Sequence, residues 1–517
     1  MKSHSPSELP AIALVASLLV FPAMALSVEE LPPSRQISMR DCVEIALRNN
    51  IDIAVAKAGK EIGEADVPFE EAAFLPSFTG DASAARSLVP SGSVLDNTSL
   101  ALEQREYKLD LGAKHLLRTG TALSLAFENR RTETDSAVSA FSPEYRTGIT
   151  LSLRQPILKN RGRRVTEAPL RIARAGAAAT TEEWKAKVMD TVASARSAFL
   201  SFFAASRDVE VRRTAGELAD RLMVQTDARI EAGEAAPMDR LPAEAAVAAR
   251  KEELLRAEAA ALGAADDLKN VLGVRSSREW DERLVPVPPQ EDVSPPGMDE
   301  TFEEALRRRP EVAAQAERRK QAEIREAVAR NRILPTLDLT ASAGLSGLSG
   351  TPNPDPLIPT VSGPFTGNYW DSLDQMLSGD YYNWFVGIKS DIPWRFERER
   401  AEWAKARSAL EEQRLLEEGL TLRIRTEVRK ARRDLESAIE RIVAARISVA
   451  AAAKQLEAEE KKLELGRSTT VELLRFQQDQ SEALLAEIRA RADAHLAQTR
   501  LWRAVGTVLE REGIVLP

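Results

Sequence analysis

Side chains able to do covalent or metal chemistry are few in this sequence and badly spaced for it. The three histidines, His4, His115 and His495, lie far apart, and the one cysteine is Cys42. A single cysteine excludes a disulfide scaffold, a cysteine-based zinc module and an iron–sulfur protein. No phosphate loop of the form G-x-x-x-x-G-K-[ST], no H-E-x-x-H and no G-x-S-x-G elbow occurs. The glycine-rich run Gly344–Gly350 follows a predicted strand and opens no helix, so it reads as a mobile loop rather than a phosphate cradle. Carboxylates are abundant, with 79 Asp and Glu against 71 Lys and Arg. Most of them fall in helical patterns, where charge marks a solvated face. The expectation is a protein that is not an enzyme and needs neither cofactor nor metal. A net charge of −8 also argues against a nucleic-acid partner.

With no reactive centre to place, the sequence must be read for architecture. It has 517 residues, only 5% of them aromatic, and Ala, Glu, Arg and Leu dominate, which points to long helices. Residues 1–25 read as a secretory signal, with an apolar run from Ala11 and an A-x-A site at Ala23-Met24-Ala25. That run is shorter than the ~20 residues a spanning helix needs. The remainder is written twice. At an offset of 259, Ala46-Leu47-Arg48 matches Ala305-Leu306-Arg307, and Leu75-Pro76 matches Leu334-Pro335. At an offset of 233, Gly233 matches Gly466, Leu241 matches Leu474, and Gly273 matches Gly506. The expected division is a signal (1–25), a first repeat (26–273), a Pro-rich linker or strap (274–299) and a second repeat (300–517).

Each repeat carries a helix (39–73; 300–333), a stretch rich in Gly, Ser, Thr and aromatics, and a long helical hairpin turning at Gly233 or Gly466. In the second hairpin the series Ile424, Val428, Ala431, Leu435, Ala438, Ile442, Ala445, Val449, Ala452, Leu456, Glu459, Leu463 alternates steps of four and three. This is a sustained heptad seam, broken only by Glu459. The first hairpin keeps most of the pattern, and its helix from about 166 to 231 would be on the order of 100 Å long.

The intervening segments (74–156; 334–393) hold all five Tyr and show alternation in Thr121–Phe127, Thr147–Arg154 and Thr336–Ala343. Amphipathic strands with aromatic ends fit an outer-membrane barrel, and a soluble β-subdomain fits them equally. Two strands per repeat make four per chain, too few to close a barrel. An open sheet edge is not viable in lipid, so membrane-spanning strands would require oligomerisation. A further hairpin, Tyr107–Leu117 with Thr121–Glu128, has no evident place.

The ordered, duplicated set of the ALRNN and ALRRRP helix starts, the two Leu-Pro exits, Gln155-Pro156, the IEAGEAAPMD and LELGRSTTVELL turns and the closing Leu272-Gly273 resembles the TolC-type outer-membrane efflux proteins. The resemblance covers nearly the whole mature chain. It implies an α+β membrane protein in which duplicated long helical hairpins form an α-barrel in the periplasm. Four or more β-strands per chain would contribute to a trimeric transmembrane barrel of twelve strands. It implies a passive exit duct for efflux or type I secretion, with a homotrimer, a periplasmic adaptor (membrane fusion) protein, an inner-membrane RND, ABC or MFS pump and outer-membrane lipid as partners. Many members carry a lipid on an N-terminal cysteine. Cys42 is not so placed, and the expectation is an unlipidated protein.

The family places the gate and the adaptor-docking surface at the helical turns, here Gly233 in one and Gly466, Arg467 and Ser468 in the other. Of two acidic ring positions, the first falls on Glu472, with Asp239 as its counterpart in the first repeat. The second falls on Arg475, a departure that removes the doubled acidic constriction. Taken as a single residue, Glu472 reads first as a helix-start carboxylate favoured by the dipole. A secreted coiled-coil structural or adhesive protein is the main rival. It leaves the aromatic alternating segments at matching points of the repeats unexplained.

Overall fold

A computed structural model describes residues 34–90, 101–234, 236–289, 292–295, 297, 301–354 and 363–516. The expected signal and part of the Pro-rich linker therefore lie outside the described residues. The chain opens with strand β1 (Ser34–Ile37) and helices α1 (Met39–Asn49) and α2 (Ile51–Ala72). The sequence predicts one helix over 39–73, and the structure breaks it at Asn50. Asn50 is extended, and its side-chain oxygen accepts from the backbone N–H of Asp52 and Ile53, at 2.9 and 3.2 Å. That cap starts a second helix. Strands β2 (Ser77–Pro90), β3 (Ala101–Leu116), β4 (Ala122–Thr134) and β5 (Phe141–Pro156) follow.

Next come α3 (Arg163–Thr166) and α4 (Ala168–Glu231), which spans 64 residues. The chain turns and returns as α5 (Arg240–Leu272), then passes through α6 (Ser277–Asp281) into strand β6 (Arg283–Pro286), which pairs in parallel with β1. The second half repeats the scheme with α7 (Phe302–Arg308) and α8 (Pro310–Arg332). Here the predicted single helix breaks because the residue before a proline, Arg309, is held extended. Strand β7 (Thr336–Pro352), helix α9 (Tyr369–Ser378) and strand β8 (Tyr382–Asp391) lead to α10 (Glu397–Glu464), 68 residues long. The chain finishes with α11 (Thr470–Val505) and α12 (Val508–Arg511).

The helices lie in one layer. Near the turns the order across it is α5–α4–α11–α10, and near the strands it is α2–α4–α8–α10. Thus α4 and α10 run the full length, whereas the other two columns are stacks of α2 on α5 and α8 on α11. Each stack meets at a left-handed glycine, Gly273 (φ 70°) or Gly506 (φ 88°). A Cβ on Gly273 would lie 2.5 Å from the Asn49 carbonyl oxygen, so only glycine fits there. Every position of the α10 seam is buried or half-buried, as heptad packing against α11 requires. The outer columns also carry apolar stripes at intervals of seven that nothing among the described residues covers. These are Val55, Ile62 and Phe69 on α2, Leu255 and Leu262 on α5, and Leu415 and Leu422 on α10.

The sheet runs β2-β3-β4-β5-β7-β8, antiparallel throughout. Among the described residues it has six strands, not the four of the basic repeat scheme, because the hairpin β3–β4 is inserted between β2 and β5. Its turn is anchored at the helix end of the sheet, where the Arg118 guanidinium donates to Glu71 (3.0 Å) and Glu167 (3.3 Å). One face of the sheet is apolar yet exposed, including Phe78, Leu111, Leu125, Leu151, Val386 and Ile388. The other presents Asp81, Lys114, Ser124, Ser152, Ser342 and Lys389, by the pleat alternation of the paired strands. An apolar face outside, uncovered except where α9 packs at Thr147 and Gly347, and a polar face inside fit lipid around an aqueous lumen. Aromatic residues mark both ends: Trp370 and Tyr382 at one, and Phe78 and Trp394 (94% exposed) at the other.

The glycine-rich run is corrected here. Gly344–Gly350 lies inside β7 and forms no loop. Gly347 admits α9, which packs on β7 and β5, and a Cβ there would collide with the Ser372 carbonyl oxygen; Gly344 faces Asn383 and Thr150, and Gly350 faces Phe141. Thr147 Oγ1 donates to that same oxygen at 2.9 Å. No helix among the described residues is long and apolar enough to cross a membrane.

Candidate functional site

The residues singled out from sequence gather at the end of the layer away from the sheet, on two turns. In the second turn α10 ends and Gly466 adopts a left-handed conformation (φ 66°). The Arg467 N–H reaches back to the Lys462 carbonyl at 2.8 Å, and the Gly466 N–H reaches Leu463 at 3.0 Å, a Schellman closure. Thr469 then caps α11 by accepting from the Glu472 N–H at 3.3 Å. Glu472 and Arg475 are both exposed in the first turns of α11, three residues apart and so on one side of the helix. The first turn closes in the same way: Gly233 (φ 78°) sits between α4 and a single 3-10 turn, Pro237–Asp239. Asp239 is exposed, and its carboxylate accepts from the Ala236 N–H at 3.0 Å, which commits it to the local turn.

Contacts between the hairpins near this end are apolar, with Leu222 of α4, Leu456 of α10 and Leu473 of α11 packed together. One polar lock was not found from sequence. Glu459, the seam's single charged residue, is buried there. It accepts from Ser468 Oγ across the turn and pairs with Lys462 at 2.7 Å. The hydrogen bond from Lys462, then that from Ser468, holds its carboxyl below the ordinary range. An acid in a heptad core nine residues before a serine beyond the glycine was the available signal.

A second polar assembly ties the α8–α11 stack together. Arg503 of α11 pairs with Asp190 of α4 at 2.5 Å and also with Glu311 of α8. Arg309 pairs with Glu311 at 3.1 Å and with Glu427 of α10 at 2.5 Å. Burial alone would raise the Glu311 carboxyl, but Arg503 and Arg309 outweigh it and bring it to about 2, against an ordinary 4.5. A carboxyl lowered on folding stabilises the fold above its unfolded pKa and loses that contribution as pH falls toward its folded pKa. The melting temperature is therefore expected to fall as pH drops from 4.5 toward 2. Glu311→Gln should lower it at pH 7 and flatten that acid limb, and an unchanged acid limb in the variant would refute the assignment.

No group of His, Cys, Asp and Glu among the described residues could hold a metal ion. His115 contacts the Phe74 carbonyl at the sheet's helix end, far along the chain from His495 in α11. Cys42 is buried in α1, and burial pushes its thiol up to about 12.

The comparisons fit this geometry. The sequence pattern described as outer membrane efflux protein matches residues 42–274 and 301–507. The Campylobacter jejuni CmeC outer membrane channel superposes with a TM-score of 0.66 at 16% identity, covering 91% of this chain and 86% of that one. The open state of the Neisseria gonorrhoeae MtrE outer membrane channel gives 0.62 at 17% identity, covering 91% and 89%. The Vibrio cholerae outer membrane protein VceC gives 0.63 at 14%, covering 90% and 96%. No curated protein sequence matches. At these identities the structures establish a shared fold.

Proposed function

Because the chain belongs to the outer membrane efflux protein family, we propose that it is the passive, trimeric exit duct of a tripartite efflux or type I secretion system. The family's members are outer-membrane transport proteins rather than enzymes. The observation that carries the finer reading is the matched pair of open edges. Strand β2 and the stripes of α2 and α5 are unsatisfied on one side, and β8 and the stripe of α10 on the other. Such a layer is completed by copies of itself arranged in a ring, since each edge repeats head to tail. Three copies give a tunnel of twelve helix columns.

In this reading the repeats 26–273 and 300–517 each supply one hairpin, joined by the strap 274–299. The turns at Gly233 and at Gly466, Arg467 and Ser468 dock a periplasmic adaptor, and an inner-membrane RND, ABC or MFS pump provides the energy. The protein sits in outer-membrane lipid without a lipid anchor, and the burial of Cys42 supports that. Glu472 lines the periplasmic mouth, with Asp239 beside the first turn and Arg475 replacing a second acidic ring. Three carboxylates around one axis attract cations.

Channels of the purified protein in planar bilayers should therefore be cation-preferring. Glu472→Lys should abolish or reverse that preference while conductance persists. Unchanged selectivity would remove Glu472 from the pore, and absence of any conductance from the wild type would remove the duct.

A further inference from the structure

We propose that three chains close a barrel of eighteen strands, in which the inserted hairpin β3–β4 widens the membrane end to the full width of the helical tunnel. The proposal rests on the trimeric reading above and adds to it the identity of the seam and the size of the ring. Among the described residues each chain offers an open sheet of six strands whose terminal members, β2 and β8, lack a neighbour on one side. β2 is exposed along its whole length and β8 along all but one residue. Since the strands alternate in direction and number six, β2 of one copy meets β8 of the next in the antiparallel sense of every other pair.

The sheet already carries the stagger that closure requires. One row of paired residues runs Ser77, Lys114, Ser124, Ser152, Ser342, Phe385. Ser77 begins β2 at the helix end, whereas Phe385 lies six residues short of Asp391, where β8 reaches that end. A rise of six residues over five strand steps corresponds to a tilt of about 40°, at ~3.4 Å per residue and ~4.8 Å per strand. Closed barrels tilt their strands by about 35–45°. At that tilt six strands span about 38 Å of circumference, and four helices at about 10 Å each span about 40 Å. Four strands would span only about 25 Å. The insertion therefore equalises the two arcs, and three of them make a ring about 36 Å across between backbones, against about 24 Å for twelve strands. Rings of that strand number leave an aqueous channel.

Side chains at the seam are complementary in size. The lipid face of β8 carries Tyr382, Trp384, Val386 and Ile388, whereas that of β2 carries Gly80, Ala82 and Ala84. The same large-beside-small pattern holds where β8 meets β7, with Trp384 opposite Ala343 and Val386 opposite Ala341. The pleat requires even-numbered residues of β8 to face even-numbered residues of β2, which leaves Ala82 or Ala84 as the partner of Val386.

Full-length double-cysteine variants, oxidised in isolated outer membranes, test both parts. Val386→Cys combined with Ala82→Cys or with Ala84→Cys should give disulfide-linked species ending at three chains, and Val386→Cys alone should give none. Leu125→Cys with Leu151→Cys, a directly paired couple across β4 and β5, should form a disulfide within one chain. Seam disulfides without the Leu125–Leu151 link would place the hairpin outside the ring and overturn the eighteen-strand barrel. Absence of seam disulfides in both registers would overturn the β2–β8 closure. A series ending at a number other than three would overturn the trimer while leaving six strands per chain. A density map of the wild-type protein in detergent reads the strand count without any substitution.

Discussion

Leu151→Arg is expected to abolish accumulation of assembled protein in the outer membrane, and Ser152→Arg, one residue further on, to leave it nearly unchanged. Both lie within β5, paired on either side by β4 and β7. Leu151 belongs to the exposed apolar face, opposite Leu125 and Ala343. Ser152 belongs to the polar face, opposite Ser124 and Ser342. An arginine on the lipid side near the bilayer midplane costs about 2–4 kcal/mol, and every copy in the ring bears that cost. On the lumen side the same arginine remains in water, next to small neighbours. The measurement is the amount of oligomer resistant to detergent in outer-membrane fractions. Equal loss in both variants, or greater loss for Ser152→Arg, would mean that the sheet does not have lipid on the face assigned here.

Arg196→Ala is expected to destabilise the helical layer by about 3–5 kcal/mol, the range for breaking a buried ion pair. Arg196 is fully buried in α4. Its guanidinium lies 4.9 Å from the centre of the Trp502 ring, donates to Thr499 Oγ1 at 3.1 Å and pairs with Glu512 beyond α12. Truncation leaves the Glu512 carboxylate without this partner and opens a void beside Trp502. Combining Arg196→Met with Glu512→Gln should recover much of the loss, because the desolvated charges leave together. Thermal or denaturant midpoints of the three proteins check this. A cost under about 1 kcal/mol for Arg196→Ala would put the pair in the class of surface ion pairs.

How far the architecture could be read from sequence depended on how many neighbours each element has. The α10 seam was readable position by position because α10 stands at the edge of the layer and packs mainly along one stripe. α4 lies between other columns on both sides, and it buries Trp184, Val188, Phe199 and Leu200 as well as Ala195, Phe202 and Ala219. A single seven-residue pattern therefore describes it poorly. The breaks at Asn50 and Arg309 were missed because the apolar periodicity runs through both sites, although Pro310 and a capping asparagine were visible. The inserted hairpin was recognised by its alternation, but only the pairing partners of β3 and β4 give it a place. Gly344–Gly350 was misread because Gly347 answers to α9, and Gly344 and Gly350 to residues of β8 and β5, all distant in sequence. The tip glycines were legible from the turn chemistry alone, whereas Glu472 is exposed at a helix start and no local pattern assigns it a role.

The stacking of the helix columns has a mechanical consequence. Along the wall, whole staves (α4, α10) alternate with jointed ones (α2 on α5, α8 on α11), and the two joints fall at Gly273 and Gly506. At the first joint Ile37, from the β1–β6 pair, packs with Leu268 and Leu272, so that pair works as a hoop at this height. No helical hydrogen bond runs from α2 into α5 or from α8 into α11, so a bend at these two joints would break fewer backbone bonds than one within α4 or α10.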